Sequence, residues 1–379
     1  MLLLDDSDLV RQERIRLTRR SRITKAVSIK DKGQIQIEDL PTPEPGPGAL
    51  LIKVLYCSIC GSEVERLYGA HWDTMDEDSR NTHLRGSILG HEYVGEVAAL
   101  GEGVTGFSIG DRVVDVFNCC GQCYYCIRGM GDLCMWGRVR GHPYDGAVAP
   151  TAGANRGGAM AEYVIRSATF RLKVPDSVSD QEAAMCEPLA TGVTAATAAG
   201  VSLGDSVAVI GVGHIGLMVL AAAKAAGAAP LIAVDKSDVR LEVARRVGAD
   251  LTLNPKDTDL VEAVVDVTEA GLDVVFPCVS FQASGILEEA FEMVRRRGRI
   301  ILVGAPAPAA LPTGTWLTKE VRIEGALHVG QAMVPALKLL QYKRVNVGPC
   351  ITEVIPLTEA QRAFDSLHDQ TNIAVLLKP

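Results

Sequence analysis

Apolar and polar positions repeat with two different periods, and the change of period divides the chain. Val207-Ala208-Val209-Ile210 is an uninterrupted apolar run, a helical pattern then extends through Lys224 to Gly227, and a second run follows at Leu231-Ile232-Ala233-Val234. Further runs at 251–253, 273–276, 299–304 and 321–325 are separated by helical patterns over 239–248, 260–269 and 286–297. Short apolar runs alternating with helices predict an α/β fold with a doubly wound parallel sheet, whose strands are buried on both faces. The rest reads differently. Strands are expected within 26–38 and at 50–54, 93–97 and 161–165, with a turn-rich connection at 41–48. A helix at 358–367 and a strand at 373–377 should rejoin this first, mostly β domain. The stretches 68–85 and 135–160 read as long loops, either bordering a substrate cleft or of no catalytic consequence.

The run at Val207 breaks into Gly211-Val212-Gly213-His214-Ile215-Gly216. Three glycines at this spacing, after a strand and at a helix start, are the pattern of a dinucleotide site. Gly211 permits the turn, Gly213 admits a pyrophosphate, and Gly216 lets helix and sheet approach. The first N–H groups of the helix, from His214 and Ile215 on, then face the phosphates. Asp235 ends the second strand nineteen residues after Gly216, where an acid that holds the ribose diol is expected. NAD is therefore expected over NADP, although Lys236 and Arg240 stand close enough in sequence to weaken that preference.

Composition narrows the function class. The 379 residues are 47% hydrophobic and 5% aromatic, with a net charge of −8, which argues against a nucleic-acid binder, since such a protein usually shows a basic face. No apolar run reaches the ~18 residues of a membrane span. The Met1–Leu4 cluster is too short for a signal peptide, so a cytoplasmic protein is expected. Residues 1–23 carry six arginines among polar residues and read as a solvated arm, or as a contact across a subunit boundary. Five of the ten cysteines crowd between Cys119 and Cys134, which points to metal rather than cross-links. Cys120, Cys123, Cys126 and Cys134 can wrap one tetrahedral zinc and leave no open position, so that site is structural. The rival is an iron–sulfur cluster, whose fourth ligand would follow at a shorter spacing and precede a proline. Cys119 is expected to be a spectator, and Cys57 a small buried side chain.

Cys60 in Ile-Cys-Gly-Ser, His91 in Gly-His-Glu and Glu187 in Glu-Pro-Leu, taken with the glycine turn, resemble the zinc-dependent medium-chain alcohol dehydrogenases. The likeness is to their sorbitol (polyol) and threonine dehydrogenase branch and covers nearly everything after residue 24. It implies a GroES-like catalytic domain at 24–187 and 328–379, with a structural zinc lobe at 119–135, and a Rossmann NAD-binding domain at 188–327. It implies a second, catalytic zinc on Cys60, His91 and Glu187, with Glu92 a carboxylate able to exchange onto the metal. Cys186 is the rival for the third position, since some branches use cysteine there. Thr191 stands where relatives touch the nicotinamide, and Ser62 where a hydroxyl takes the alcohol proton. Glu63 stands where Asp is usual; its longer side chain could still orient His91. Glu65 replaces a histidine common in the family and puts the usual proton path in doubt. The implied reaction is reversible oxidation of a secondary alcohol, a polyol or sugar derivative, to a ketone, with hydride passing to NAD. An amino-alcohol dehydrogenase of the threonine type is the alternative, and a non-catalytic nucleotide-binding regulator with only the structural zinc is the rival from another class. The expected partners are a small alcohol or ketone and further copies of the chain, as a dimer or tetramer.

Overall fold

The computed structural model describes residues 23–115, 120, 122–135, 157–169, 171–279, 283–327 and 329–379. All of the expected arm 1–23 but Ile23, and most of the stretch 135–160, with Trp136, His142, Tyr144 and Arg156, lie outside these residues, as does Cys119. Two compact units emerge, 1–184 with 353–379, and 185–352. The second boundary departs from the expected 328. The helix Met333–Gln341 buries Met333, Ala336, Leu337 and Leu340 within the second unit, packing on the helix Cys186–Ala199. Its apolar face claims those 25 residues for the nucleotide-binding side.

The first unit begins with the antiparallel hairpin β1 (Ile23–Asp31) and β2 (Gln34–Pro41). It continues with β3 (Ala49–Ser58), β4 (Glu92–Leu100), β5 (Arg112–Asp115), β6 (Tyr163–Ser167) and β7 (Arg171–Lys173). The second unit holds β8 (Val207–Ile210), β9 (Leu231–Val234), β10 (Leu251–Leu253), β11 (Leu272–Pro277), β12 (Val294–Leu302) and β13 (Arg322–Gly325). The chain then returns through β14 (Ile351–Pro356) and β15 (Ala374–Lys378).

In the first unit the sheet runs β14-β15-β3-β4-β5-β7, with β6 also paired to β3. Ile52, Val54, Val97, Phe364 and Leu377 belong to its core, each contributing about 1.5–3 kcal/mol relative to exposure. The register serves the site. Leu377 lies opposite Cys57 and Leu376 opposite Ser58, while β4 sets Glu92 opposite Ser58 and Tyr93 opposite Cys57. The Ile59 N–H donates to the Val375 carbonyl at 3.2 Å. The C-terminal strand thus braces the segment that delivers Cys60.

The stretch 68–85, expected as a loop, instead carries the helices His71–Thr74 and Glu77–His83. Asp76 caps the latter by accepting from the Ser79 N–H at 2.7 Å, and Arg80 Nε donates to the Trp72 carbonyl at 2.9 Å. These bonds, with Trp72 buried, stabilise a polar sequence that lacks an apolar stripe.

The second unit is a parallel sheet in the order β10-β9-β8-β11-β12-β13. All four residues of β8 and of β9 are buried, as two-sided strands require. The helix expected to reach Arg297 stops at Met293, and β12 begins at once with buried Val294. Arg299 on β12 ties this sheet to the helix Cys186–Ala199. Its Nη1 donates to the Ala199 carbonyl at 2.7 Å and the Gly200 carbonyl at 3.0 Å, and its Nη2 to Asp205 at 2.8 Å. A cation there satisfies terminal carbonyls and complements the helix dipole. Arg299→Met should destabilise this unit by about 2–4 kcal/mol, because Asp205 and two carbonyls lose their donor. Urea unfolding followed by the signal of the 185–352 unit reads the shift; an unchanged midpoint contradicts the assignment.

Candidate metal and nucleotide sites

The helix Gly61–Tyr68 starts beside the β3–β4 pair, with Cys60 as its N-cap in extended conformation. Glu63, at the third helical position, turns back and is only 5% exposed. Its Oε2 accepts from the Cys60 N–H at 3.1 Å. Its Oε1 accepts from the Gly90 N–H at 2.5 Å and lies 3.2 Å from His91 Nδ1. One buried carboxylate therefore fixes the start of the helix and the turn that carries His91. It is the arrangement by which an outer carboxylate orients a metal-binding imidazole.

Cys60, His91 and Glu92 each offer a donor atom, and these atoms lie within 4.8 Å of one another. Burial, then the charge of Glu92, pushes the Cys60 thiol up to about 11. Burial lowers the His91 pKa, but the charge of Glu63 and hydrogen bonds to Cys60 and Glu63 outweigh it and carry the imidazole well above its usual range. A thiol and an imidazole that both hold their protons tightly beside two carboxylates form a site short of positive charge. A divalent cation supplies that charge, and sulfur, nitrogen and oxygen donors suit zinc with a position left open.

Glu187 lies in the first turn of the helix Cys186–Ala199, in the other compact unit. Its neighbour Cys186 is buried, with its Sγ 3.9 Å from the Met333 carbonyl within that same unit, and burial raises its thiol pKa strongly. Ser62 and Glu65 are exposed, three residues apart on the Gly61–Tyr68 helix, and so share a face. Cys57 is fully buried on β3 and outside the cluster.

The four lobe cysteines converge. Sulfur separations are 3.8 Å for Cys120–Cys126, 3.5 Å for Cys123–Cys126 and 3.9 Å for Cys123–Cys134. One tetrahedral zinc with Zn–S near 2.3 Å sets its sulfurs about 3.8 Å apart. An iron–sulfur cluster spreads its thiolates over several irons and needs wider spacing. Backbone N–H groups of Cys120, Gln122 and Cys123 point at cysteine sulfurs at 3.2–3.4 Å. The Cys123 thiol is drawn down to about 6, chiefly by the N–H of Cys126. The four sulfurs surround a closed site.

In the second unit Gly211 has φ +87°, the left-handed region that favours glycine. A Cβ on Gly216 would stand 1.9 Å from the Gly211 carbonyl oxygen, so nothing larger fits where helix meets strand. Gly213 caps the helix His214–Ala226, and its nearest foreign atom would be Arg240 Nη1 at 3.8 Å from such a Cβ. The turn is thus open on the side where His214 and Ile215 begin the helix. Asp235 Oδ2 accepts from the Val212 N–H at 3.0 Å, its Oδ1 from the Ser237 N–H at 2.9 Å, and Arg240 stands 3.8 Å away. The Val212 bond, which locks the turn to the end of β9, is not readable from residue spacing. Thr191 is buried in the helix Cys186–Ala199.

Comparison with known proteins gives the frame for these sites. The zinc-binding dehydrogenase family model matches residues 215–341, and the alcohol dehydrogenase GroES-like domain model matches 46–176. A sorbitol dehydrogenase from Halalkalibacterium halodurans is 32% identical over 92% of this chain and 96% of its own length. An L-threonine 3-dehydrogenase from Pyrococcus horikoshii is 34% identical over 84% of this chain and 87% of its own. A zinc-binding dehydrogenase from Sinorhizobium meliloti, solved bound to NADP, superposes with a TM-score of 0.81 at 27% identity, covering 95% of this chain and 100% of the other. No described helix is long and apolar enough to cross a membrane. The chain belongs to the zinc-dependent medium-chain alcohol dehydrogenases, in the sorbitol and threonine dehydrogenase-like branch, and is an oxidoreductase that uses zinc and NAD(P).

Proposed function

We propose that the chain oxidises a secondary alcohol, of polyol or sugar type, reversibly to a ketone with NAD. The observation that carries this reading is the Cys60, His91 and Glu92 donor set within 4.8 Å, held by buried Glu63. Cys60 and His91 would hold a catalytic zinc, with Glu187 as third ligand and Glu92 able to exchange with it. When bound, zinc supplies Lewis acidity, which in suitable sites lowers the pKa of bound water from about 15.7 to about 7 and would shift a bound alcohol in the same direction. Ser62 Oγ takes the proton that the alcohol gives up, and Glu65, one turn along the same exposed face, passes it to solvent. Glu63 keeps His91 in one tautomer and orientation. Cys120, Cys123, Cys126 and Cys134 hold a second zinc whose role is structural, and their sulfur separations support it.

Around the cofactor, Gly211, Gly213, His214, Ile215 and Gly216 would cradle the pyrophosphate, Thr191 would touch the nicotinamide, and Asp235 would accept from the ribose diol with Arg240 alongside. The carboxylate repels a 2′-phosphate, which supports NAD over NADP. A homo-oligomer, dimer or tetramer, is supported by the outermost strand β13, flanked in sequence by Leu317 and Leu327, 79% and 64% exposed. Nine described cysteines free of disulfides are compatible with the cytoplasm.

The second reading, an amino-alcohol dehydrogenase, is favoured by the threonine dehydrogenase relative. A panel of polyols, simple secondary alcohols and threonine, followed by absorbance of the reduced cofactor, separates the two. Turnover of polyols but not threonine is expected; the reverse result replaces the first reading by the second. In the same assay kcat/KM with NAD should exceed that with NADP at least tenfold. Asp235→Ser should narrow that ratio, and a wild-type preference for NADP would refute the role given to Asp235. Glu63→Gln keeps the shape but weakens the acceptor, and should lower kcat/KM about 10–100-fold. Wild-type kinetics in that variant would remove Glu63 from the mechanism.

A further inference from the structure

Behind the Cys60, His91 and Glu92 cluster lies a buried polar network that neither the glycine turn nor the metal donors account for. Arg166 on β6 is 5% exposed, and all three of its nitrogens are used. Its Nε donates to Asp115 Oδ2 at 3.0 Å, its Nη1 to the Ile165 carbonyl at 3.0 Å, and its Nη2 to the Gly157 carbonyl at 2.7 Å. Asp115, at the end of β5, also pairs with Arg171 at 2.9 Å and accepts from the Tyr93 hydroxyl at 2.6 Å. The Arg166 guanidinium stands 5.5 Å from the Tyr93 ring centre. Two buried guanidiniums on one carboxylate is a costly arrangement unless geometry is worth more than stability.

Two of these connections lead to the flanks of His91-Glu92. On the C-terminal side, Asp115 holds the hydroxyl of Tyr93, the residue that directly follows Glu92. On the N-terminal side, Gly157 opens the strip 157–160, which grips the turn before His91. The Ala159 N–H donates to the Gly90 carbonyl at 2.9 Å and the Met160 N–H to the Leu89 carbonyl at 2.8 Å. The packing there is close: a Cβ on Gly158 would stand 2.2 Å from the Leu89 carbonyl oxygen, and one on Gly90 2.4 Å from the Met160 nitrogen. Glu63 then fixes the Gly90 N–H from the opposite side. The fork geometry of arginine lets a single side chain hold two such separate points rigidly, which lysine, as a point charge, does not.

We infer that Arg166 is a positioning residue of the catalytic metal centre, bracing His91 and Glu92 from both sides through Gly157 and through Asp115–Tyr93. The inference rests on the reading of His91 and Glu92 as metal donors. The same guanidinium also joins two points of the chain, Asp115 and Gly157, that bracket the four-cysteine lobe in sequence, but the lobe carries its own ligands and closes without it.

Zinc affinity tests this. Zinc-loaded protein is titrated with a chromogenic chelator, and zinc per chain is counted at each step for wild type, Arg166→Met, Arg166→Lys and Tyr93→Phe. The wild type is expected to hold two ions. Arg166→Met should weaken one of them about 10–100-fold and leave the other unchanged, the range seen when outer partners of metal ligands are lost. Arg166→Lys should recover little of that loss, and Tyr93→Phe, which removes one brace without stranding a charge, should weaken the same ion by a smaller factor. Cobalt substitution gives an independent reading: the visible bands of the open site should shift in Arg166→Met, while those of the four-thiolate site stay in place. A folded Arg166→Met with lower melting temperature but two wild-type affinities and unmoved cobalt bands would show a merely structural residue and overturn the inference. If Arg166→Met does not fold, an unchanged affinity in Tyr93→Phe overturns it equally. A wild type that holds only the lobe ion refutes the metal reading itself, and the inference with it.

Discussion

The buried carboxylate of Glu63 is the contact on which the candidate centre depends. It accepts from the Cys60 N–H and the Gly90 N–H and reaches His91 Nδ1, joining a helix start to a turn 27 residues later. A carboxylate placed in the interior costs several kcal/mol unless its oxygens are satisfied. Here both oxygens are engaged, so the burial that would penalise the charge also makes each of its hydrogen bonds stronger. The extra methylene relative to the Asp usual in the family does not prevent that reach. The geometry of Cys60 and His91 follows from it.

The two cysteine-containing constellations illustrate how one chain builds opposite kinds of metal chemistry. The lobe donors are four sulfurs within contact distance, fed by backbone N–H groups, with no position left for a reactant. The other set mixes sulfur, nitrogen and oxygen, sits at the end of a sheet, and has Ser62 and Glu65 exposed on the adjacent helix. A closed site fixes local structure; an open one admits an alcohol. In the second unit the division of labour is similar. Gly211 and Gly216 satisfy steric demands that no other residue meets, while Asp235 secures the turn through Val212 and, in the proposed function, would also accept from the ribose diol.

What the sequence made legible was local. The strands β8 and β9 are buried on both faces, so their apolar runs stand out, and the glycine spacing between them belongs to one turn. The four lobe cysteines lie within fifteen residues, and their spacing alone predicts convergence. What stayed hidden depends on partners far along the chain. The helices at 71–74 and 77–83 are polar and are stabilised by Asp76, by Arg80 and by buried Trp72, so no hydrophobic stripe announces them. The arginines at 295–297 read as the polar face of a helix, yet buried Val294 already belongs to β12. The domain boundary moved because the helix Met333–Gln341 packs on the helix Cys186–Ala199, a contact between residues about 140 apart. The bonds from Glu63 to Gly90 and from Arg166 to Asp115 and Gly157 have no sequence signature at all; only tertiary structure brings those groups together.

The measurement that bears most directly on this account is X-ray absorption at the zinc edge of the purified holoenzyme. One closed four-sulfur site and one open site with a single thiolate predict a combined first shell of about five sulfurs near 2.3 Å to three nitrogens or oxygens near 2.0–2.2 Å. A shell of sulfur alone, whatever the zinc content, would contradict the assignment of Cys60 and His91 to an open metal centre.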